Sequence, residues 1–564
     1  MSIEPIPHPD PTSPARADRP SRRRECRAWL FALVLAVVTA AVFSPVLGHH
    51  FIEAWDDSTA ILTNRDYNPP SFGKLAHYWV PPPKDTFYVP VTYTLWGLLA
   101  MASRSTAPPD LPFNPAFFYA ANLIAHVLSV AMVFLILRRL VKWPWPAAVG
   151  AGLFALHPIQ VEAVCNAWSV YTPLSGFFGF VAIWQYLIFS DQRHAEPHAH
   201  RRVALHYAIA TLAFVLGLMT KPTVVSVPLM IAAIEFFLRG RGVREWVWPL
   251  APWVALGLMF VGLNLHAAPG ATVFVPDITY RPLVPLDAIA FYLGKVLWPA
   301  PLVIDYARSP MWLMEHPLAW LTALVAPALA WICWRLRRRL PWLAASFGVF
   351  VAALVPTIGI VPFDFQHYST VADRYAYPAM LGVAMAAAFV VCRLATRSLV
   401  PVALALLVWL GVLSGRQTRT WQDDWQVAAY TLKTNPRSKV SVAMFRYLFT
   451  RWGHFDPPDH PFPAHKLCSL DEPTLMACAD YLRGKRFWDL AAGLYREASK
   501  KDADNAAAAA GLGAALLQGQ EYAGARYACG EALRLDPNNR LARRTLEQLS
   551  GPVTRPNPLT APAR

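Results

Sequence analysis

Ser21-Arg22-Arg23-Arg24, then Trp29-Leu30-Phe31-Ala32-Leu33-Val34-Leu35-Ala36-Val37-Val38 and an apolar course as far as Leu47, is the stretch that decides the fold. About 20 uncharged residues at 1.5 Å of helical rise each match a hydrocarbon core of about 30 Å. The arginines on one side assign that side to the cytoplasm. No A-x-A cleavage site follows, so the segment reads as a retained helix and not as a removed signal. Beyond it the chain meets water in His49-His50-Phe51-Ile52-Glu53-Ala54-Trp55-Asp56-Asp57. Two adjacent carboxylates and a tryptophan at a membrane mouth are open to three readings: a general base, a metal-ligand set or an interfacial turn.

The composition agrees with a membrane chain. Of 564 residues, 55% are hydrophobic and 15% are charged, where a soluble protein carries about 25% charge. The net charge of +15 does not argue for nucleic acid. The arginines sit beside apolar runs, where positive-inside sorting and anionic lipid headgroups account for them. Seven widely spaced cysteines without a CxxC indicate neither a zinc site nor a disulfide framework, although Cys468, Cys478 and Cys529 share the soluble tail.

Repetition of the opening pattern predicts eleven spans, near 28–47, 116–137, 147–164, 172–190, 203–220, 223–239, 246–265, 316–334, 341–361, 376–394 and 399–415. Arginine clusters at successive inner ends place the N-terminus inside and the C-terminus outside. The Pro-punctuated piece 286–303 reads as re-entrant, because a full crossing would turn Arg335-Leu336-Arg337-Arg338-Arg339 outward. Residues 1–27 read as a disordered cytoplasmic tail, 28–415 as the membrane domain with an external loop over 48–115, and 551–564 as a second disordered tail. Within that loop, 88–103 fits an amphipathic helix on the outer surface. A loop so long and so aromatic favours function over connection.

After Gly415 the chain becomes soluble and repetitive. Leu512, Gly513, Ala525, Ala532 and Pro537 have tetratricopeptide spacing, and Cys478, Ala479, Ala491, Ala498 and Ala503 precede them by 34 residues. Small residues recur where paired helices cross closely. A worn unit near Trp425, ending at Asn435-Pro436, completes a short solenoid over 416–550.

Most suggestive polar residues fall in the loops assigned outside: Asp56, Asp57, His157, Glu162, Lys221, Asp373, Arg374, Tyr375 and Tyr377. Asn122 and His126, one turn apart in the second span, join them or simply bond between helices. Adjacent side chains diverge, so Asp56 and Asp57 cannot flank a bond as separated glycosidase carboxylates do. One can serve as base while the other binds elsewhere, or both can open a helix. Asp423-Asp424, just past the last span, reads as the start of a soluble helix. Lys221 and Arg374 suit a phosphate, or pairing with Glu162 or Asp373. His157 with Glu162 is a ligand, a proton relay or a turn, and His194, His198 and His200 read as a solvated loop. No Walker A, Rossmann, nucleophile-elbow or HExxH pattern occurs.

Several strings taken together resemble one family. They are Trp55-Asp56-Asp57, Tyr88-Val89-Pro90-Val91-Thr92-Tyr93, Asn122-x-x-x-His126, Phe154-Ala155-Leu156-His157-Pro158-Ile159-Gln160-Val161-Glu162, Thr220-Lys221-Pro222 and Ala372-Asp373-Arg374-Tyr375-Ala376-Tyr377. With the repeat tail, the chain is similar over about 28–550 to the transmembrane and tetratricopeptide repeat O-mannosyltransferase-like proteins, which have a C-class glycosyltransferase membrane fold. The resemblance implies an all-α polytopic enzyme that moves a mannose-like sugar from a polyprenyl-phosphate donor to a protein or glycan acceptor outside the membrane, with inversion. It implies Asp56 or Asp57 as catalytic base. It implies Lys221, Arg374, Tyr375 and His157 around the lipid phosphate, and Glu162, Asp373, Asn122 and His126 in support. No cofactor is required beyond the lipid-linked sugar, and no metal is indicated, although a divalent ion is compatible with the chemistry. The implied setting is a bacterial inner membrane with membrane lipids around the spans and periplasmic repeats that meet the acceptor. One departure is Cys165-Asn166-Ala167-Trp168-Ser169-Val170-Tyr171-Thr172-Pro173, where many relatives carry a charged run. The rivals are a non-enzymatic scaffold for envelope assembly and a lipid or solute transporter. The latter should show symmetry between halves and midplane polar residues. An alkaline phosphatase fused after Gly415 is expected to be active, and an inactive fusion would overturn the eleven-span topology.

Overall fold

The structure, a computed structural model, describes residues 22–80, 87–107, 111–195, 200–267, 274–278, 280–394, 399–435, 438–451, 472–484 and 486–550. The expectations for residues 1–21 and 551–564, and those for Pro81-Pro82-Pro83, Asp85, His198, Pro436 and Cys468, lie outside these. All regular structure among the described residues is helical, apart from an isolated bridge between Tyr67 and Pro70. Among the described residues seven helices are long and apolar enough to cross a bilayer: Ala28–Gly48, Pro115–Val141, Ala167–Ala195, His200–Leu218, Val243–Ala267, Pro317–Leu336 and Leu399–Trp421. A pair bent by 51°, Pro144–Leu156 with Pro158–Val164, makes an eighth if it is one span. The shorter apolar helices Pro222–Leu238, Pro341–Thr357 and Met380–Leu394 occupy the other expected positions. The protein is an all-α, polytopic helical membrane protein.

The helix ends follow from local chemistry. Asn114 accepts from Ala116 N at 3.0 Å and precedes Pro115, a proline placed where no amide is needed. At the far end Lys142 turns left-handed, with φ of 62°, and its amide reaches Arg138 O at 2.9 Å. The bend at His157-Pro158 has a matching cause. Proline removes an amide, and His157 Nδ1 accepts from Ile159 N at 3.2 Å to restart the chain. The N-terminal helix begins at Arg22, inside the stretch expected to be a tail. The expected re-entrant piece contains the helix Leu283–Leu297.

Pro115–Val141 is the hub, packed against Pro144–Leu156 and Tyr171–Ala195, with Met380–Leu394 against Pro144–Leu156. Phe134, Phe154, Phe180, Met380 and Met385 fill the core between them. Two of these crossings bring backbone onto backbone. A Cβ on Gly150 would lie 2.4 Å from Ala384 O, and one on Gly382 would lie 2.4 Å from Ser346 O and 2.7 Å from Phe350 N. Leu318, Leu321, Leu324, Trp331, Val402 and Val408 face outward, which in a membrane is contact with lipid and not a defect. At the expected inner ends Arg139, Arg239 and Arg241 converge on Asp191, with the closest approaches 2.7, 2.9 and 3.1 Å. These arginines therefore tie helices together.

The chain divides into two compact units between Asp424 and Trp425. The last long helix runs past the expected boundary at Gly415, and polar residues on both sides of that glycine are bonded within the first unit. Ser414 Oγ donates to Leu156 O at 2.8 Å and Gln417 Nε2 donates to Leu302 O at 2.8 Å.

The second unit contains helices starting at Glu472, Trp488, Ala506, Tyr522 and Arg540, so each helix recurs after 34 residues. The small residues mark the crossings. Tyr495 lies against Gly511, and Cys529 Sγ lies 2.3 Å from where a Cβ on Gly513 would stand. Cys478 and Cys529 are both buried.

The backbone seam is testable. Gly382→Ala should cost about 1–3 kcal/mol, because neither neighbour is a movable side chain. Gly262→Ala, with nothing within 4 Å of the new methyl, should be close to neutral. Thermal unfolding of the two purified variants compares them directly.

Candidate functional site

The site begins with the amides between His50 and Trp55, each of which needs an acceptor. His50 N donates to Gln422 O at 3.0 Å and Trp55 N to Ile52 O at 3.2 Å. Ile52 N donates to Asp57 Oδ2 at 2.7 Å. Glu53 N and Ala54 N donate to the two oxygens of Asp424, at 3.2 and 2.8 Å. The other oxygen of Asp57 accepts from Trp168 N at 2.8 Å. Asp57 is thus a fully buried fastener with a backbone amide on each oxygen. Burial pushes its carboxyl up to about 7, against the pull of those two amides.

Asp56 is the next helical residue and points elsewhere. It is half-buried. Crowding by protein pushes its carboxyl up to about 6, with Arg374 pulling it down and Glu162 pushing the same way as burial. A carboxyl in that range switches between acid and base near neutrality. The adjacent pair therefore divides into one held and one poised residue.

Arg374 is buried and paired with Glu162. Its backbone amide donates to Glu162 Oε2 at 2.9 Å, and its guanidinium NH1 pairs with Oε1 of the same carboxylate. The guanidinium also lies over the rings of Phe365, at 4.5 Å, and Tyr375, at 4.9 Å. Its Nε is buried and has no hydrogen-bond partner among the described residues. Lys221 Nζ donates to Thr172 Oγ1 at 2.9 Å and stands 4.5 Å over the ring of Tyr171. Burial pushes its ammonium down to about 7, and the nearby Arg374 charge adds to that.

Lys221, Arg374, Tyr375 and Thr172 line one end of a narrow cavity whose other walls include Phe180, Ile183, Val227 and Met230. Its free volume of about 30 Å³ suits a water and not a chain. Asp373 points away from Lys221, toward Tyr306, whose hydroxyl donates to it at 2.8 Å. Burial raises this carboxyl, and Glu162 adds to the rise.

The structure separates the expected residues into two sets. Asp56, Glu162, Lys221, Arg374 and Tyr375 come together. His157, Asn122 and His126 do not join them. His157 uses Nδ1 on Ile159 and Nε2 on Val296 O at 3.1 Å. Asn122 donates to Val164 O and Asn166 O, at 3.1 and 2.7 Å. His126 contacts Tyr377 Oη at 2.9 Å and Ala155 O at 3.2 Å. Tyr377, expected in an outer loop, is fully buried among these groups. Asp424 does open a helix, Asp424–Thr434, but its carboxylate serves the Asp56 loop.

Trp168, Tyr171 and Thr172 were not singled out individually, and all three belong to the segment that departs from the resembled family. That departure was the one available signal for them. His194 lies beside Glu245, and no group of three or more potential metal ligands occurs among the described residues.

No protein-family model and no solved structure matches the chain. The protein O-mannosyl-transferase Tmtc2 of Drosophila melanogaster is 30% identical to it over 141 residues, which is 24% of this chain and 14% of that protein. The likeness to a protein O-mannosyltransferase is therefore distant and partial.

Glu162→Gln should destabilise the protein by about 3–5 kcal/mol, because it strands a buried guanidinium. The double variant Glu162→Gln/Arg374→Gln should recover part of that loss. Unfolding midpoints of the single and double variants decide the point.

Proposed function

We propose that this protein is a membrane glycosyltransferase that takes a mannose-like sugar from a polyprenyl-phosphate and transfers it to a hydroxyl of a protein or glycan on the outer face of a bacterial inner membrane. The observation that supports this most is the poised Asp56 carboxyl within electrostatic reach of Arg374, which shares a cavity lining with Lys221. The partial likeness to a protein O-mannosyltransferase points the same way.

In this reading Asp56 accepts the proton of the acceptor hydroxyl as its oxygen bonds to the anomeric carbon. The bond from that carbon to the phosphate oxygen breaks, and the developing phosphate charge is met by Lys221 and Arg374. Attack opposite the leaving phosphate inverts the anomeric centre. Lys221 is suited to this because its ammonium rests on a hydroxyl and a ring and not on a carboxylate, so an arriving phosphate would hold the proton that burial loosens. The apolar walls behind it would receive the first isoprene units, provided the side chains move to widen a cavity that is nearly closed. The repeats would present the acceptor.

Purified protein incubated with labelled polyprenyl-phosphate sugars and envelope extract tests the proposal. Asp56→Asn should lower transfer about 10²- to 10⁴-fold, the range for a lost general base. Equal transfer by that variant would remove Asp56 from the role. The profile of kcat/KM against pH should be a narrow bell. Its acid limb lies near pH 6, where Asp56 gains a proton and ceases to be a base. Its alkaline limb lies near pH 7, where unliganded Lys221 loses its charge. Lys221→Arg should move the alkaline limb upward and leave the acid limb in place.

A further inference from the structure

We propose that Asp424 is a positioning residue for Asp56, holding the loop that carries the base from the exit of the last long apolar helix. The inference rests on the glycosyl-transfer reading for its catalytic meaning, but its geometry stands apart from it.

An aspartate that merely opens a helix accepts amides of its own first turn. Asp424 instead accepts Ala54 N on Oδ1 at 2.8 Å and Glu53 N on Oδ2 at 3.2 Å, across 370 residues of chain. The residue two places before it adds a third tie, from His50 N to Gln422 O at 3.0 Å. Asp57 closes the other end of the same loop through Ile52 N and Trp168 N. Two carboxylates therefore grip the loop on either side of Trp55-Asp56, and four of its amides end on acidic or carbonyl oxygens brought by distant segments or by Asp57. Glycine-free and so fastened, the loop has little freedom to turn Asp56 away from Arg374. Asp57 is part of the loop it fastens. Asp424 reaches it from outside, which makes it the separable half of the clamp.

Hydrogen exchange on the full-length protein, read on peptides covering residues 50–57, tests the clamp without any donor. Asp424→Ala should speed exchange of the Glu53 and Ala54 amides about tenfold or more, in proportion to two lost charge-assisted bonds. Asp424→Asn should give a smaller increase and serves if the alanine variant does not fold. Asp66→Asn removes a carboxylate that accepts from Tyr78 in the same external loop, and it should leave those amides unchanged.

In the transfer assay Asp424→Asn should lower kcat about tenfold or more with little change in the donor KM. Unchanged exchange in both Asp424 variants would overturn the clamp. Faster exchange with an unchanged kcat would overturn the positioning role. A wild-type protein that transfers no sugar from any donor would overturn the catalytic reading and with it the positioning role, while the exchange data would still decide the clamp.

Discussion

The buried pair between Glu162 and Arg374 is the interaction on which the rest of the site depends. Each group would be costly alone in this environment; Glu162 accepts both the guanidinium and the backbone amide of Arg374. The pair joins the short turn after the bent helix to the Asp373-Arg374-Tyr375 turn, segments 212 residues apart. Burial sets the raised carboxyl of Asp56 and the lowered ammonium of Lys221, and the pair modulates both, with Arg374 and Glu162 acting on each with opposite signs. A change at this pair would shift the Asp56 carboxyl and the Lys221 ammonium together.

Around that pair the aromatic rings act as electrostatic surfaces as much as packing. Tyr171 and Tyr375 receive Lys221, and Phe365 and Tyr375 receive Arg374. A ring face offsets part of what a cation loses when it gives up its water. Lys221, with no carboxylate within salt-bridge distance among the described residues, is the clearest case. The segment 165–173 supplies the ring and hydroxyl beneath it, and its amide at Trp168 holds Asp57. An uncharged stretch thus contributes to the site through rings, a hydroxyl and a peptide bond.

Much of this was legible in the sequence because it is periodic. Apolar runs, arginines at their ends and a repeat of 34 residues are local signals, and all correspond to helices in the structure. Pairing of Arg374 with Glu162 was also among the options that residue types allowed. The division of labour between Asp56 and Asp57 was not legible, because it depends on which amides fold back on which carboxylate. The use of Asp424 was hidden for the same reason, since nothing near residue 424 records that residues 53 and 54 will arrive there. The partners of His157 are only half legible: a histidine beside a proline at a helix break can cap its own turn, as it does on Ile159 N, but its bond to Val296 O is not recorded nearby.

The glycine seam has a mechanical consequence for the cavity. Where Gly150 meets Ala384 O, and Gly382 meets Ser346 O, two main chains touch with no side chain between them to rotate or compress. Ala353, on the Pro341–Leu354 helix that forms one side of this seam, lines the cavity together with Val227 and Met230. A seam of main chain does not yield, whereas the unbranched thioether of Met230 can swing aside at small cost. A ligand wider than a water would make its room by moving side chains of that kind and not by parting the seam.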